Sequence, residues 1–141
     1  LDEPVSSLDV SIQAQILKLL QQIKKERGLT YLFIAHDLAL VNILADTTAI
    51  MYLGEIVEFG PTREIFGRPK HPYTEALLAS VPRRHPKQKP AQVLPGEIPS
   101  PINPPSGCPF HPRCHLAQDT CRQTSPSSKW EGERWFTCHL R

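Results

Sequence analysis

The sequence predicts an α/β segment followed by a small irregular cysteine-rich tail, on three observations. Apolar residues recur at helical spacing over 10–27, short β-rich runs follow at 30–35 and 47–52, and prolines then crowd the approach to four late cysteines. Ten of the fifteen prolines fall between Pro82 and Pro112. Proline lacks a backbone N–H and fixes φ, so that stretch is neither helix nor central strand. The expected organisation is an α/β part over 1–60, a helical extension over 61–81, a proline-rich linker over 82–107 and a tail over 108–141.

The first helix is the clearest element. Ile12, Ile16, Leu19, Leu20 and Ile23 mark one face, while Gln13, Lys18, Gln22 and Lys25 fill the other. Asp9 suits the N-cap and Gly28 the left-handed residue after the end, so the helix runs from about Val10 to Arg27. Thr30 to Ala35 is short, apolar and rich in β-formers, which predicts a strand buried on both faces. Asp37 to Ala45 suits a second amphipathic helix and Thr47 to Tyr52 another strand, which Leu53-Gly54 turns back into Glu55 to Phe59 as a hairpin. Pro61 to Phe66 reads as a helical turn with proline first, and His71 to Ala79 as a short helix with Tyr73, Leu77 and Leu78 inward, stopped at Pro82.

Composition excludes more than it assigns. Sixteen basic against fourteen acidic side chains leave a net charge of +2, too small and too evenly spread for a nucleic-acid partner. No apolar run reaches the length that spans a bilayer. The basic run Arg83-Arg84-His85 with Lys87 and Lys89 is too short to carry a role. The opening Leu1-Asp2-Glu3-Pro4, without an initial Met, reads as a truncated start.

A chemical constellation follows from the order of elements. Parallel strands joined by a helix bring their carboxyl ends to one sheet edge, where ligands of α/β sheets bind. If Asp2-Glu3 ends one such strand, His36 ends the next and stands beside them. Two adjacent carboxylates and an imidazole suit phosphoryl transfer to water: one acid for Mg²⁺, one to polarise the water, and the imidazole for the γ-phosphate.

At these residues a resemblance becomes specific. Leu1-Asp2-Glu3-Pro4 resembles the end of the Walker B segment of ABC-transporter ATPases, Ser7-Leu8-Asp9 their D-loop, and Ile34-Ala35-His36-Asp37 their H-loop, in family order and spacing. His71-Pro72-Tyr73-Thr74, Leu94 to Pro101 and Gly107 to Cys114 look like the C-terminal extension of oligopeptide and dipeptide importer ATPases, so the resemblance covers essentially the whole chain.

The resemblance implies the C-terminal part of an ABC-type P-loop nucleotide-binding domain. It implies ATP and Mg²⁺, with Asp2 associated with Mg²⁺, Glu3 as catalytic base, His36 on the γ-phosphate and Asp9 acting across the subunit boundary of an ATP-closed dimer. The implied partners are a paralogous ATPase subunit, transmembrane permease subunits and, indirectly, an extracytoplasmic peptide-binding protein; the implied place is the cytoplasmic face of the inner membrane. The phosphate loop, glutamine loop and Leu-Ser-Gly-Gly-Gln signature of the family do not occur in this sequence, so the chain is expected to be inactive toward ATP alone. The rival reading is a metal-binding regulatory module with a vestigial ATPase edge.

Cys108, Cys114, Cys121 and Cys138 are separated by five, six and sixteen residues. In a reducing compartment four thiols suggest a metal site. The loose spacing suits a [4Fe–4S] cluster, which the resemblance also implies in some members, with Zn²⁺ the alternative and free thiols or disulfides the remaining readings. His111, His115 and His139 read as exposed or supporting neighbours, Trp130, Trp135 and Phe136 as the tail's small apolar core, and metal ligation as the source of much of its folding free energy.

Overall fold

The computed structural model describes residues 1–81 and 94–141. They fall into two units, Leu1–Ala45 and Asp46–Arg141. Pro82 and the basic run after it lie outside the described residues.

In the first unit, α1 spans Val10–Arg27, the range that the apolar spacing predicts. The Asp9 carboxylate accepts the Ser11 and Ile12 N–H groups, each at 3.0 Å, and Gly28 closes the helix at φ 62°. None of the five residues of the expected apolar face is buried: Ile12 and Leu19 are exposed, Ile16, Leu20 and Ile23 are half-buried, and the buried residue of the helix is Leu17. Helix α2, Leu38–Leu44, is capped by Asp37, whose carboxylate accepts the Ala39 N–H at 2.8 Å.

The strand expected at Thr30 to Ala35 needs correction. The segment makes one isolated parallel bridge, Asp2 with Ile34, and Leu32 and Ile34 are exposed. A pairing this short has neither the flanking strands nor the covering layers that bury a parallel strand on both faces.

The second unit is built on a four-stranded antiparallel sheet of order β1-β2-β4-β3, from β1 (Thr47–Tyr52), β2 (Glu55–Pro61), β3 (Ser128–Glu131) and β4 (Arg134–Thr137). The turn joining β1 to β2 puts both Leu53 and Gly54 at positive φ, 48° and 84°, the combination that matches the twist of a two-residue hairpin. A register shift between Ile50 and Met51 leaves Val57 as an extra residue and turns Glu58 to the same face as Ile50. Glu58 is completely buried there, beside Phe136 of β4.

Helix α3 (Thr62–Gly67) begins one residue later than expected, with Pro61 ending β2 and standing at the N-cap. Helix α4 covers Pro72–Ala79, with Pro72 in its first turn and His71 as N-cap. Leu78 is its buried apolar residue, and Tyr73 and Leu77 are half-buried against the core. A 3-10 turn at His111–Arg113 and a short helix α5 at Asp119–Gln123 precede β3. Among the described residues no helix is long and apolar enough to cross a membrane.

The core is formed by Ile50, Tyr52, Val57, Ile65 and Phe110, with Tyr52 and Tyr73 packed around the Phe110 ring at 5.3 and 5.4 Å between centroids. Burying a phenylalanine of this kind stabilises by about 1.5–3 kcal/mol. The last 34 residues are therefore not an independent irregular module, since β4 joins the sheet beside β2 and Phe110 fills the core beneath β1. Alternation along β4 buries Arg134 and Phe136 and leaves Trp135 outward, stacked on Phe59 at 6.1 Å. Trp130 is 67 % exposed, so of the three aromatics expected inside only Phe136 is buried.

Arg134 carries much of the polar bonding beneath the sheet. Its Nη1 donates to the Arg68 carbonyl at 2.9 Å and its Nη2 to Glu131 at 2.6 Å. Gly107 fixes the other end of the tail. At φ 72° it packs so tightly that a Cβ would overlap the backbone of Cys121 and Arg122. Gly107→Ala is expected to destabilise this unit by at least about 1 kcal/mol, read as a lower urea midpoint at unchanged slope. An unchanged midpoint would contradict this packing.

Candidate functional site

Two extended segments of the first unit run side by side in the same direction. The Leu1 backbone nitrogen donates to the Leu32 carbonyl at 2.9 Å, the Ile34 N–H to the Leu1 carbonyl at 2.9 Å, and the Glu3 N–H to the Ile34 carbonyl at 3.0 Å. A parallel ladder delivers the ends of both segments to one edge, which here carries Asp2, Glu3 and His36.

Glu3 sits at φ 42°, a left-handed conformation uncommon for a residue with a side chain. Its Oε1 lies 2.9 Å from His36 Nδ1. The two side chains are exposed, 70 % for His36 and 47 % for Glu3, so water screens the pair and it adds little to stability. Its chemical effect is on the imidazole. The hydrogen bond to Glu3 and the charge of Glu3 hold the His36 pKa above its ordinary 6.5, with Asp37 adding to the effect and slight burial opposing it. Protonated, the ring donates Nδ1–H to Glu3 and has a second N–H, on Nε2, for an anion.

Asp2 is exposed on the same edge, and its backbone forms the bridge with Ile34. Asp9 stands apart in role: its Oδ1 is engaged with the first turn of α1. Behind the Glu3–His36 pair lies a cavity of about 50 Å³ bordered by Ser6, Gln13, Phe33 and Leu40. That is space for a water or two, far short of a nucleotide.

Gln13 was expected on the polar outer face of α1. It turns instead toward the loop and donates through Nε2 to the carbonyls of Val5 at 2.9 Å and Leu8 at 3.1 Å. Helical periodicity sorts residues by hydrophobicity and cannot see such a bond. The available signal was position, four residues after the capping Asp9, within reach of the incoming loop.

The reading of Cys108, Cys114, Cys121 and Cys138 as a [4Fe–4S] or Zn²⁺ site is not supported. Among the described residues no three His, Cys, Asp or Glu side chains are grouped to hold a metal ion, and the four cysteines are free thiols. Cys121 and Cys138 are buried, while Cys108 and Cys114 pack against the core. Burial raises the pKa of Cys108 and of Cys114, a backbone hydrogen bond to each lowers it, and the neighbouring cysteines raise it further. Phe110 and Phe136 packing and the β2–β4 pairing tie this part of the chain to the sheet.

His111 bonds the Cys108 carbonyl through Nδ1 at 3.0 Å, and His139 the Thr124 carbonyl through Nε2 at 2.9 Å. Both hold loop backbone, and His115 is exposed.

Comparison with known families adds the deciding observation: residues 57–121 match the model described as oligopeptide/dipeptide transporter, C-terminal region. Over this stretch the chain is similar to the oligopeptide/dipeptide transporter C-terminal region family. The matched stretch begins at Val57 within β2, takes in α3, α4 and the Cys108–Cys114 turn, and ends at Cys121.

Curated relatives extend the likeness over nearly the whole chain. The chain is 55 % identical over 128 residues to "Oligopeptide transport ATP-binding protein OppF" of Salmonella typhimurium, covering 89 % of this chain and 38 % of that protein. It is 52 % identical over 126 residues to "Dipeptide transport ATP-binding protein DppF" of Haemophilus influenzae, covering 89 % and 38 %. It is 51 % identical over 142 residues to "Probable peptide ABC transporter ATP-binding protein y4tS" of Sinorhizobium fredii, covering 99 % and 40 %. The chain thus spans about two-fifths of the length of these relatives.

Proposed function

We propose that this chain is the C-terminal part of an ATP-binding, ATP-hydrolysing subunit of an ABC transporter that drives peptide import. The observation that carries the reading is the 2.9 Å approach of Glu3 to His36 at the end of a parallel pair of segments. The names of relatives about half identical to it, all peptide-transport ATP-binding proteins, supply the cargo class.

In this reading Glu3 polarises the water that attacks the γ-phosphate, with His36 bonded to its other side. The His36 imidazolium donates Nε2–H to a γ-phosphate oxygen as charge develops there. The donor set at the edge fits Mg²⁺, a hard ion that takes one or two carboxylates and completes its shell with phosphates and water, so a three-residue protein cage is not needed. Asp2 would hold it, and Mg²⁺ supplies neutralisation of phosphate charge. Asp9 caps the helix that follows the loop and so presents the Ser7-Leu8-Asp9 turn to a second ATPase subunit. The partners in the reading are that paralogous subunit, the membrane permease subunits and, at one remove, an extracytoplasmic peptide-binding protein. The subunit works as a peripheral protein on the cytoplasmic face.

The edge alone is acidic and offers no cradle of backbone N–H groups for phosphates, so the 141-residue chain by itself is expected not to hold ATP. Equilibrium dialysis with Mg-ATP tests this against the complete subunit that carries the segment. Retention by the complete subunit together with hydrolysis, and none by the chain alone, supports the reading. Micromolar binding to the chain alone, or a complete subunit without ATPase activity, contradicts it.

A further inference from the structure

We propose that Gln13 is a positioning residue for the Glu3–His36 pair, its side-chain amide tying the Val5–Leu8 turn to the first turns of α1 and thereby setting where the Glu3 carboxylate stands. The proposal deepens the ATPase reading and rests on it.

Both N–H bonds of the Gln13 amide are used, one on the Val5 carbonyl at 2.9 Å and one on the Leu8 carbonyl at 3.1 Å. Gln13 is itself held, because its backbone N–H donates to the Asp9 carbonyl at 2.9 Å within a helix already capped by the Asp9 side chain. The turn it grips is compact. The Leu8 N–H reaches the Val5 carbonyl at 3.2 Å, and Ser6 donates to the Glu3 carbonyl through N–H at 3.2 Å and through Oγ at 3.1 Å. Val5 is 3 % exposed and anchors the turn from below.

Glu3 thus lies between two fixed points: its N–H is on Ile34 and its carbonyl on Ser6. A residue at φ 42° returns to a commoner conformation unless its surroundings hold it. Hydrogen bonds from a rigid helix to two carbonyls of the following turn are such a restraint. Removing them leaves the turn free to relax and lets the carboxylate drift from His36.

The test uses Gln13→Met, of similar length without a donor, and Gln13→Lys, which keeps a donor at about the same reach. In the complete subunit, Gln13→Met is expected to lower kcat by about ten- to a hundredfold with KM for ATP within about twofold, and Gln13→Lys to recover most of the loss. In the 141-residue chain, the His36 ring titration followed by NMR should move downward in Gln13→Met, toward the midpoint seen in Glu3→Gln, while helical circular dichroism is unchanged. A merely structural role for Gln13 would not move that titration. Wild-type kcat in Gln13→Met, or an unmoved His36 midpoint alongside a moved one in Glu3→Gln, overturns the proposal. If Glu3→Gln keeps full turnover, the base reading fails and the catalytic half of the proposal with it, while the titration still decides whether Gln13 places the carboxylate.

Discussion

Glu3→Gln in the complete subunit is expected to lower the rate of ATP hydrolysis by about 10²- to 10⁴-fold, the range lost with a general base. The change is nearly isosteric, and the amide oxygen still accepts a hydrogen bond from His36, so the 2.9 Å geometry has no cause to collapse. What disappears is the carboxylate's capacity to polarise water. ATP binding should persist, because the phosphates are held elsewhere, and the variant should accumulate in its ATP-bound form. The measurement is single-turnover hydrolysis beside equilibrium binding. Loss of binding in step with hydrolysis would mark Glu3 as structural, and retained hydrolysis would remove it from the role of base.

The second large effect concerns pH and the other unit. His71 is 1 % exposed, and burial lowers its pKa to about 4 from the ordinary 6.5. Its neutral ring has a use there: Nδ1 accepts the Tyr73 N–H at 3.1 Å and so caps α4, which requires that nitrogen to be unprotonated. The His71 N–H is bonded to the buried Glu58 carboxylate at 2.9 Å, so the residue cannot swing out without breaking a second contact.

The unfolded chain takes up a proton on His71 below pH 6.5, whereas the folded chain resists until about pH 4. The contribution to stability is therefore complete above 6.5 and is lost as pH falls toward 4, amounting to roughly 3 kcal/mol over that window. Urea midpoints between pH 4 and 7.5 read this out. Carboxylates also titrate there, so the comparison is with His71→Asn, which can cap a helix but has no proton to gain. The variant should show a flatter profile between pH 4 and 6.5. Parallel profiles would mean that His71 is not the group responsible.

Where local chemistry and periodicity agree, the sequence was sufficient. Helix α1 was legible to the residue because an apolar spacing, an Asp cap and a left-handed Gly all mark the same ends. The β1–β2 hairpin was legible for the same reason. The approach of Glu3 to His36 followed from the handedness of strand-helix-strand connections, even though the second segment makes only a single bridge.

The misses were long-range. Nothing local tells that Phe136 lies beside Glu58, nearly eighty residues earlier, so the tail looked separate. Glu58 itself follows strand alternation outward until the extra residue at Val57 reverses the parity. His71 and Gln13 escaped because a polar residue in a helix's opening turns reads as solvated unless the partner carbonyl or N–H is known.

The most direct measurement of the central claim is a structure of the complete ATPase dimer carrying Glu3→Gln with Mg-ATP bound. It should show His36 Nε2 within hydrogen-bond distance of a γ-phosphate oxygen, about 3.2 Å or less, and the residue-3 amide beside the position of the attacking water. A γ-phosphate bound out of reach of both side chains would contradict it.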